Sequence, residues 1–492
     1  MGVMDDAGDG TEACSNCLRL QKQVEGLVRR NQVLRRAVRR QRAKNRELEA
    51  RLAKLEDRLR ELEGPARATA ANSSLPPSAN PIGAAPAVVK RPSGRRIGGQ
   101  MGHEGHGRSL LPLEQVDEVV GHWPVRCAYC GGRLAATAPG RLVGRHQVIE
   151  LPERPVVVVE HQALACSCRH CGKDSAGEIP AQIKKSVCGA RLSAMMGYLC
   201  ARMAVSRRQV AEVLSCVLGV KLSSGSVCAR ERELAEALRE PYLRIAGQVR
   251  CSGVVNIDET GWKGAARWLW VGATKKACVY LAWPDRSGGA IERLLGEESR
   301  CTICSDRFVA YEKYPLQRRA LCWAHLRRDF QRCVDRGGAS VAIGEQGLEI
   351  CREVFGQWRR FGVGEMGRVA LKRRMGQLAE RMTRLLLRGG KCVVQKTAKL
   401  CRRLRKRQVA LWRFATVEGL EPTNNLAERM LRGAVIWRKK CFGSYSIGGC
   451  RFAERMLSVI ATLRMRGREV LDYLQRAVSA HRLGQPPPVM RS

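Results

Sequence analysis

Three acidic residues sit where metal-assisted attack on a phosphodiester would need them. Asp258 closes the apolar run Val254-Val255-Asn256-Ile257, and Asp306 closes a second, Cys301-Thr302-Ile303-Cys304-Ser305. Glu428 lies within Asn424-Asn425-Leu426-Ala427-Glu428-Arg429, which reads as a helix. Two strand-end carboxylates and one helical carboxylate can converge on two Mg²⁺ or Mn²⁺ ions, the arrangement that activates a nucleophile and steadies a leaving oxygen. Glu259 follows Asp258, but strand alternation sends it to the other face. A single strand-end aspartate is more often a cap or turn residue. The weight of the set comes from Glu428 in its Asn-Asn context together with the strand order.

That order is what must position the acids. After a strand at 253–258, two more are expected at Trp268–Ala273 and Ala277–Trp283, then a helix at 288–296 and the strand ending at Asp306. Three strands, a helix and a fourth strand open a ribonuclease-H-like sheet, in which the first and fourth strands are neighbours. Asp258 would then lie beside Asp306. The segment 319–333, with Cys322-Trp323-Ala324-His325, reads as a short strand running into a helix. His325 suits DNA contact, proton transfer or simple helix packing. Residues 336–419 read as a basic helical insertion, for example Arg402, Arg403, Arg405, Lys406 and Arg407. Such a run is either a solvated face or a surface for DNA phosphates.

Composition names the partner. The chain has 492 residues, with 87 Lys plus Arg against 46 Asp plus Glu, a net charge of +41 and a pI near 10.3. A field of that sign attracts phosphate backbones, with strong salt dependence. No stretch approaches the roughly 20 apolar residues of a membrane span. The acidic N-terminus has no apolar signal core, so a cytoplasmic, nucleoid-associated bacterial protein is expected. The 22 cysteines are accordingly read as reduced thiols or metal ligands.

The N-terminal segment carries a heptad pattern. Leu20, Leu27, Leu34, Leu48, Leu55 and Leu62 form a d-like series broken at Gln41, while Val24, Asn31, Val38, Asn45, Leu52 and Leu59 form the a-like series. Asparagine at two a positions favours a parallel dimer in one register. Lys44–Glu49 and Arg51–Glu56 would attract across such a dimer and Arg30–Arg35 would repel, so residues 18–63 are expected to be a parallel coiled coil. Gly64-Pro65 stops the helix, and residues 64–110 read as a flexible basic linker containing His103 and His106, weak ligand candidates with nothing nearby to complete a site.

Cys127-x-x-Cys130-Gly and Cys168-x-x-Cys171-Gly form two knuckles within a ribbon-like domain at 111–182. Each turn aims two thiolates at one ion, and two turns complete a tetrahedral Zn²⁺ site. Alternation at Val156–Val159 and Gln162–Ala165 suggests the hairpin that would bring them together, and Cys166 competes with Cys168 as ligand. Cys14–Cys17 and Cys301–Cys304 share the spacing, but the latter pair lies on a strand, where residues three apart diverge. Residues 188–245 read as helical, with a break near Gly219 that suits a helix-turn-helix as well as a plain helical pair.

The chain resembles the DDE transposases of the insertion sequence 66 type. The resemblance rests on the zipper, Gly98-Gly99-Gln100-Met101-Gly102-His103, the two knuckles, Asp258-Glu259-Thr260, Cys322-Trp323-Ala324-His325 and Asn424-Asn425-Leu426-Ala427-Glu428-Arg429, extended by Trp437-Arg438-Lys439-Lys440 and Phe442-Gly443-Ser444. At Asp306 the family often has Asp-Gly, whereas this chain has Asp306-Arg307-Phe308. The resemblance implies a multidomain α/β protein whose catalytic core is split into 250–335 and 420–466, followed by a C-terminal helix and tail at 467–492. It implies Asp258, Asp306 and Glu428 as metal-binding catalytic residues. The implied reaction nicks DNA at the ends of a mobile element and joins the 3′-hydroxyl to target DNA, in a dimer or higher assembly and with companion proteins of the element. Arg429, Arg432, Arg438, Lys439 and Lys440 would hold phosphates beside the metals. A catalytically inactive, zinc-containing dimeric DNA-binding regulator is the competing reading. A ribonuclease for RNA–DNA hybrids would share the core chemistry without using the zipper or the knuckles.

Overall fold

The computed structural model describes residues 15–63, 109–135, 141–152, 155–171, 173–184 and 186–490. The linker at 64–108, with His103 and His106, lies outside the described residues, as does Cys14. The described chain is mixed α/β: α1 (Ser15–Glu63), β1 (Ala165–Ser167), β2 (Asp174–Ala176), α2 (Ala181–Lys184), α3 (Ala190–Ala201), α4 (Arg207–Leu218), α5 (Ser224–Ala237), α6 (Arg239–Arg250), β3 (Val254–Gly261), β4 (Trp268–Ala273), β5 (Cys278–Trp283), α7 (Gly289–Leu295), β6 (Thr302–Ser305), β7 (Arg319–Leu321), α8 (Trp323–Arg336), α9 (Val341–Gly362), α10 (Arg368–Gly389), α11 (Gln395–Lys406), α12 (Gln408–Thr416), α13 (Asn425–Cys441), α14 (Ile447–Met465) and α15 (Val470–Arg482). Among these residues no helix is long and apolar enough to cross a membrane.

The chain divides into two compact units. One contains α1 together with His325–Cys351 and Arg384–Arg402. Leu20, Val24, Leu27, Leu34, Val38, Leu48, Leu52 and Leu55 on α1 are all 49–66% exposed, so the described chain leaves its heptad stripe uncovered. Elsewhere in this unit a small polar core is fully satisfied. Ser340 and Thr397, both fully buried, share a 2.7 Å hydrogen bond, and Arg336 donates to Thr397 Oγ1 at 3.1 Å.

The other unit holds a five-stranded sheet of order β5-β4-β3-β6-β7. β3 pairs antiparallel with β4 and parallel with β6, and β6 pairs parallel with β7. The expected adjacency of the first and fourth strands is therefore present. β4 is buried on both faces, as the near-continuous apolar run Trp268–Ala273 requires. β3 alternates instead. Val255, Ile257 and Glu259 are buried on one face, while Val254, Asn256, Asp258 and Thr260 share the other.

Edge strand β5 is closed by a helix. Along α14, Glu454 accepts from Ala282 N at 2.7 Å, Ser458 from Tyr280 N at 2.8 Å and Thr462 from Cys278 N at 3.1 Å. Side chains four apart on a helix rise about 6.0 Å, close to the roughly 6.6 Å between alternate strand residues, so each edge N–H finds an acceptor.

α4 begins with a Ser206–Gln209 capping box and ends at left-handed Gly219, the break visible in the sequence. The second helix of this pair is a core element. α5 packs against α3, α14 and α15, burying Val227 and Leu234, with Glu231 held by Arg207. The helical pair thus holds a core through one face of α5, while Arg232 and Glu236 on its other side are exposed. α14 and α15 complete this helical module, which thus draws on residues well beyond 188–245.

Candidate active site

The β3–β6 register runs Val254↔Thr302, Val255↔Ile303, Asn256↔Cys304. Asp258 lies two residues beyond the last of these pairs, close enough to Asp306 to feel its charge. Asp306 follows β6 directly, and its Oδ1 accepts from Phe308 N at 2.8 Å, turning the chain away. Asp258 Oδ1 accepts from Glu259 N at 2.9 Å.

α13 brings the third acid. Fully buried Asn424, just before the helix, donates from Nδ2 to the Ile257 carbonyl at 2.8 Å and accepts from Asn256 Nδ2 at 3.0 Å. Its backbone N–H donates to Cys322 Sγ at 3.3 Å. At the other end of α13, Arg438 Nη1 donates to Thr260 Oγ1 at 3.1 Å and to the Gly261 carbonyl at 2.7 Å. The helix is thus pinned at both ends to the β3 face that carries Asp258. Glu428, in its first turn, comes close enough for its charge to act on Asp258.

Electrostatics fit a cation. Burial pushes the Asp258 carboxyl well above the ordinary range, and the charges of Glu259, Asp306 and Glu428 push it further. An all-oxygen donor set repelling itself in a shielded place suits a hard divalent ion such as Mg²⁺ or Mn²⁺. Among the described residues the three carboxylates do not form one cluster within 4.8 Å, whereas Cys322 Sγ and a Glu428 oxygen do approach within that distance.

Glu259 faces away from Asp258, as strand alternation predicts. It is 8% exposed, paired with Arg286 at 2.5 Å, and accepts from the Tyr311 hydroxyl. Burial raises its pKa, the Asp306 charge adds to this, and Tyr311 and Arg286 oppose it. The Arg286 guanidinium stacks over Phe308, 3.6 Å from the ring centre. Arg319, on β7 and 2% exposed, lies close enough to Asp306 to feel its charge. Sequence reasoning missed Asn256, Asn424, Arg286 and Arg319. A charged residue in a three-residue strand and the doubled asparagine were the available signals.

Of the expected phosphate contacts, Arg429, Arg432, Lys439 and Lys440 are exposed, whereas Arg438 is committed to the end of β3. Cys301 and Cys304 are buried and diverge, Cys301 toward Tyr314 and Cys304 toward the Thr423 carbonyl.

The knuckles form, each on its own turn. Cys127 N donates to Gly132 O at 2.8 Å beside the Arg126↔Arg133 bridge, and Cys168 N donates to Lys173 O at 2.8 Å between β1 and β2. Backbone N–H groups of Cys130 and Tyr129 lower the Cys127 pKa, and those of Cys171 and His170 lower that of Cys168. Thiolate-stabilising turns of this kind fit Zn²⁺. The second turn is built around Cys168, while Cys166 lies on β1 opposite Ser175. The expected hairpin between 156–159 and 162–165 is absent among the described residues. β1 and β2 flank the second knuckle instead, because 157–164 is exposed and has no partner strand to register against. No three of the four cysteines gather within 4.8 Å of one another among the described residues.

The profile of the transposase IS66 family matches residues 185–451, more than half of the chain, and the chain belongs to that family. A family of unknown function (DUF6444) matches residues 21–109. No curated protein and no solved structure matches the chain.

Proposed function

We propose that this chain is a DDE transposase that nicks DNA at the ends of its element and joins the freed 3′-hydroxyl to target DNA. The observation that supports this reading most is Asn424 docking the Glu428 helix onto β3, the strand that carries Asp258 and pairs parallel with the strand running into Asp306. The strand order supports a ribonuclease-H-like core. Two bound Mg²⁺ or Mn²⁺ ions would supply an activated nucleophile and a stabilised leaving oxygen. Asp258, Asp306 and Glu428 would hold them. Asn424 and Arg438 hold the helix against β3 and would keep Glu428 near Asp258, and Arg429, Arg432, Lys439 and Lys440 would offer a phosphate track along the exposed side of α13. The uncovered heptad stripe of α1 supports a parallel coiled-coil dimer holding two DNA ends, and the two knuckles support a structural Zn²⁺ site. The inactive-regulator reading has no use for three mutually repelling acids in a protein that must approach DNA.

The test is Mg²⁺-dependent cleavage of DNA carrying the gene's own flanking ends, with wild type beside Glu428→Gln. Cleavage at the element boundary by wild type, reduced about 10²-fold or more in the variant while end binding persists, is the expected result. Equal cleavage by both proteins would remove Glu428 from the site. Tight end binding without cleavage by either would favour the regulator.

The docking asparagine gives a second expectation. Asn424→Ala strands the Ile257 carbonyl and Asn256 amide, which costs about 1–3 kcal/mol and, by loosening Glu428, about 10–100-fold in cleavage. Asn425→Ala, one residue on and exposed, should change neither. Melting temperatures and cleavage rates of the two variants decide it, and matching losses would mean that Asn424 has no special role.

A further inference from the structure

The chain crosses itself just beyond the site. After β3, residues 262–265 run beside 443–445: Ser444 N donates to Lys263 O at 2.9 Å and Ala265 N to Ser444 O at 2.9 Å. The crossing needs glycine on both strands. A Cβ on Gly264 (φ +111°) would sit 2.0 Å from Ser444 O, and one on Gly443 (φ +89°) 2.3 Å from Lys263 O. Phe442 is held in the left-handed region, φ 59°, a conformation that costs a non-glycine residue about 1–2 kcal/mol. What this strained, glycine-dependent crossing displays is two aromatic rings in solvent, Phe442 58% exposed and Tyr445 74% exposed. Lys263 Nζ lies over the Phe442 ring, 5.6 Å from its centre, and exposed Lys439 and Lys440 end the adjoining helix. No acidic residue occurs between Arg429 and Ala453, or between Thr260 and Pro284.

Exposed rings beside Lys263, Lys439 and Lys440 are a stacking surface for unpaired bases, since every base has a π face and the backbone follows the cations. We infer that Phe442 and Tyr445 form a platform on which an unpaired nucleotide of the DNA end stacks, an inference that rests on the transposase reading. Fourteen residues of helical rise, about 21 Å, separate Phe442 from Glu428. At about 3.4 Å per base step, the stacked base lies some six steps from the cleaved phosphate.

The experiment uses the full chain and three fluorescent DNAs bearing the element end: blunt, with a 3′ single-stranded overhang, and with a 5′ overhang, each overhang carrying 2-aminopurine. The variant is Phe442→Asn/Tyr445→Ser, chosen because asparagine tolerates the left-handed conformation and leaves the crossing intact. Wild type should bind one overhang duplex more tightly than blunt duplex and quench its 2-aminopurine, the quenched strand identifying which is held. The variant should lose about tenfold or more on that DNA, lose the quench, and match wild type on blunt DNA. Tyr445→Phe should behave as wild type. Equal affinity of variant and wild type for both overhangs, or equal loss on blunt DNA, overturns the platform. Failure of wild type to bind any of the three would instead overturn the DNA reading beneath it.

Discussion

An Asp258→Asn protein is expected to lose DNA cleavage and, in metal-free buffer, to melt at a higher temperature than wild type. The two effects share a cause. Asp258 is penalised by burial first, then by Glu259, Asp306 and Glu428, so its folded pKa stands well above the unfolded value. A group raised in this way contributes stability only while protonated. The contribution is fully present below the unfolded pKa and is lost as pH rises through the folded one. Above the unfolded pKa the wild-type fold therefore carries a penalty, as a strained charge or as a proton taken up, that asparagine lacks. The stability gap between the two proteins should open as pH rises above about 4 and then level off. Adding Mg²⁺ should raise the melting temperature of wild type, because ligand binding favours the folded state, and leave Asp258→Asn little changed. Cleavage should fall about 10³-fold, the order lost when a transition-state contact is removed. Melting curves in chelator and in Mg²⁺ across pH 4–9, beside cleavage rates, test both halves. A variant less stable than wild type at pH 8 without metal would show that the carboxylate is not strained.

The second large effect lies far from the acids. Glu454 accepts the Ala282 N–H, and burial lifts its pKa from 4.5 to about 7 against the opposing pull of that hydrogen bond and of Arg455, Arg293 and Arg451. The sign is the same as for Asp258. Stability from the protonated form is complete below pH 4.5 and is lost as pH rises through about 7. The amount is roughly 3 kcal/mol. Glutamine keeps the acceptor oxygen without the charge, so Glu454→Gln should match wild type near pH 4 and exceed it by up to about 3 kcal/mol at pH 8.5. Urea midpoints of both proteins at the two pH values measure this directly. Parallel pH profiles would mean that Glu454 ionises as easily in the folded chain as in the unfolded one.

The parts of the site legible in the sequence were those written locally. Apolar runs ending in aspartate give strands by their own periodicity, and Asn424–Arg429 announces a helix start. The pairing of β3 with β6 followed from element order. What stayed hidden depends on partners far along the chain. Asn256 and Asn424 are 168 positions apart, and nothing in either neighbourhood says that one amide reads the other. The α4–α5 spacing could not reveal its buried face, because α3, α14 and α15, which cover it, come from both sides of the core. The knuckles were visible as turns, since Cys-x-x-Cys-Gly is local. The strands flanking the second knuckle were misplaced, because the valine run at 156–159 has strand propensity but no partner.

The Glu454–Ser458–Thr462 ladder sets a length as well as closing an edge. Helix and strand repeats differ by about 0.6 Å per rung, so the two scales slide past one another like a vernier. Matched at the middle rung, they are off by about 0.6 Å at each end, which hydrogen bonds spanning 2.7–3.1 Å absorb. A fourth rung would accumulate enough error to leave a donor stranded. β5 spans six residues, the length that three rungs can serve, so the pitch of α14 acts as the gauge to which the border of the sheet is cut.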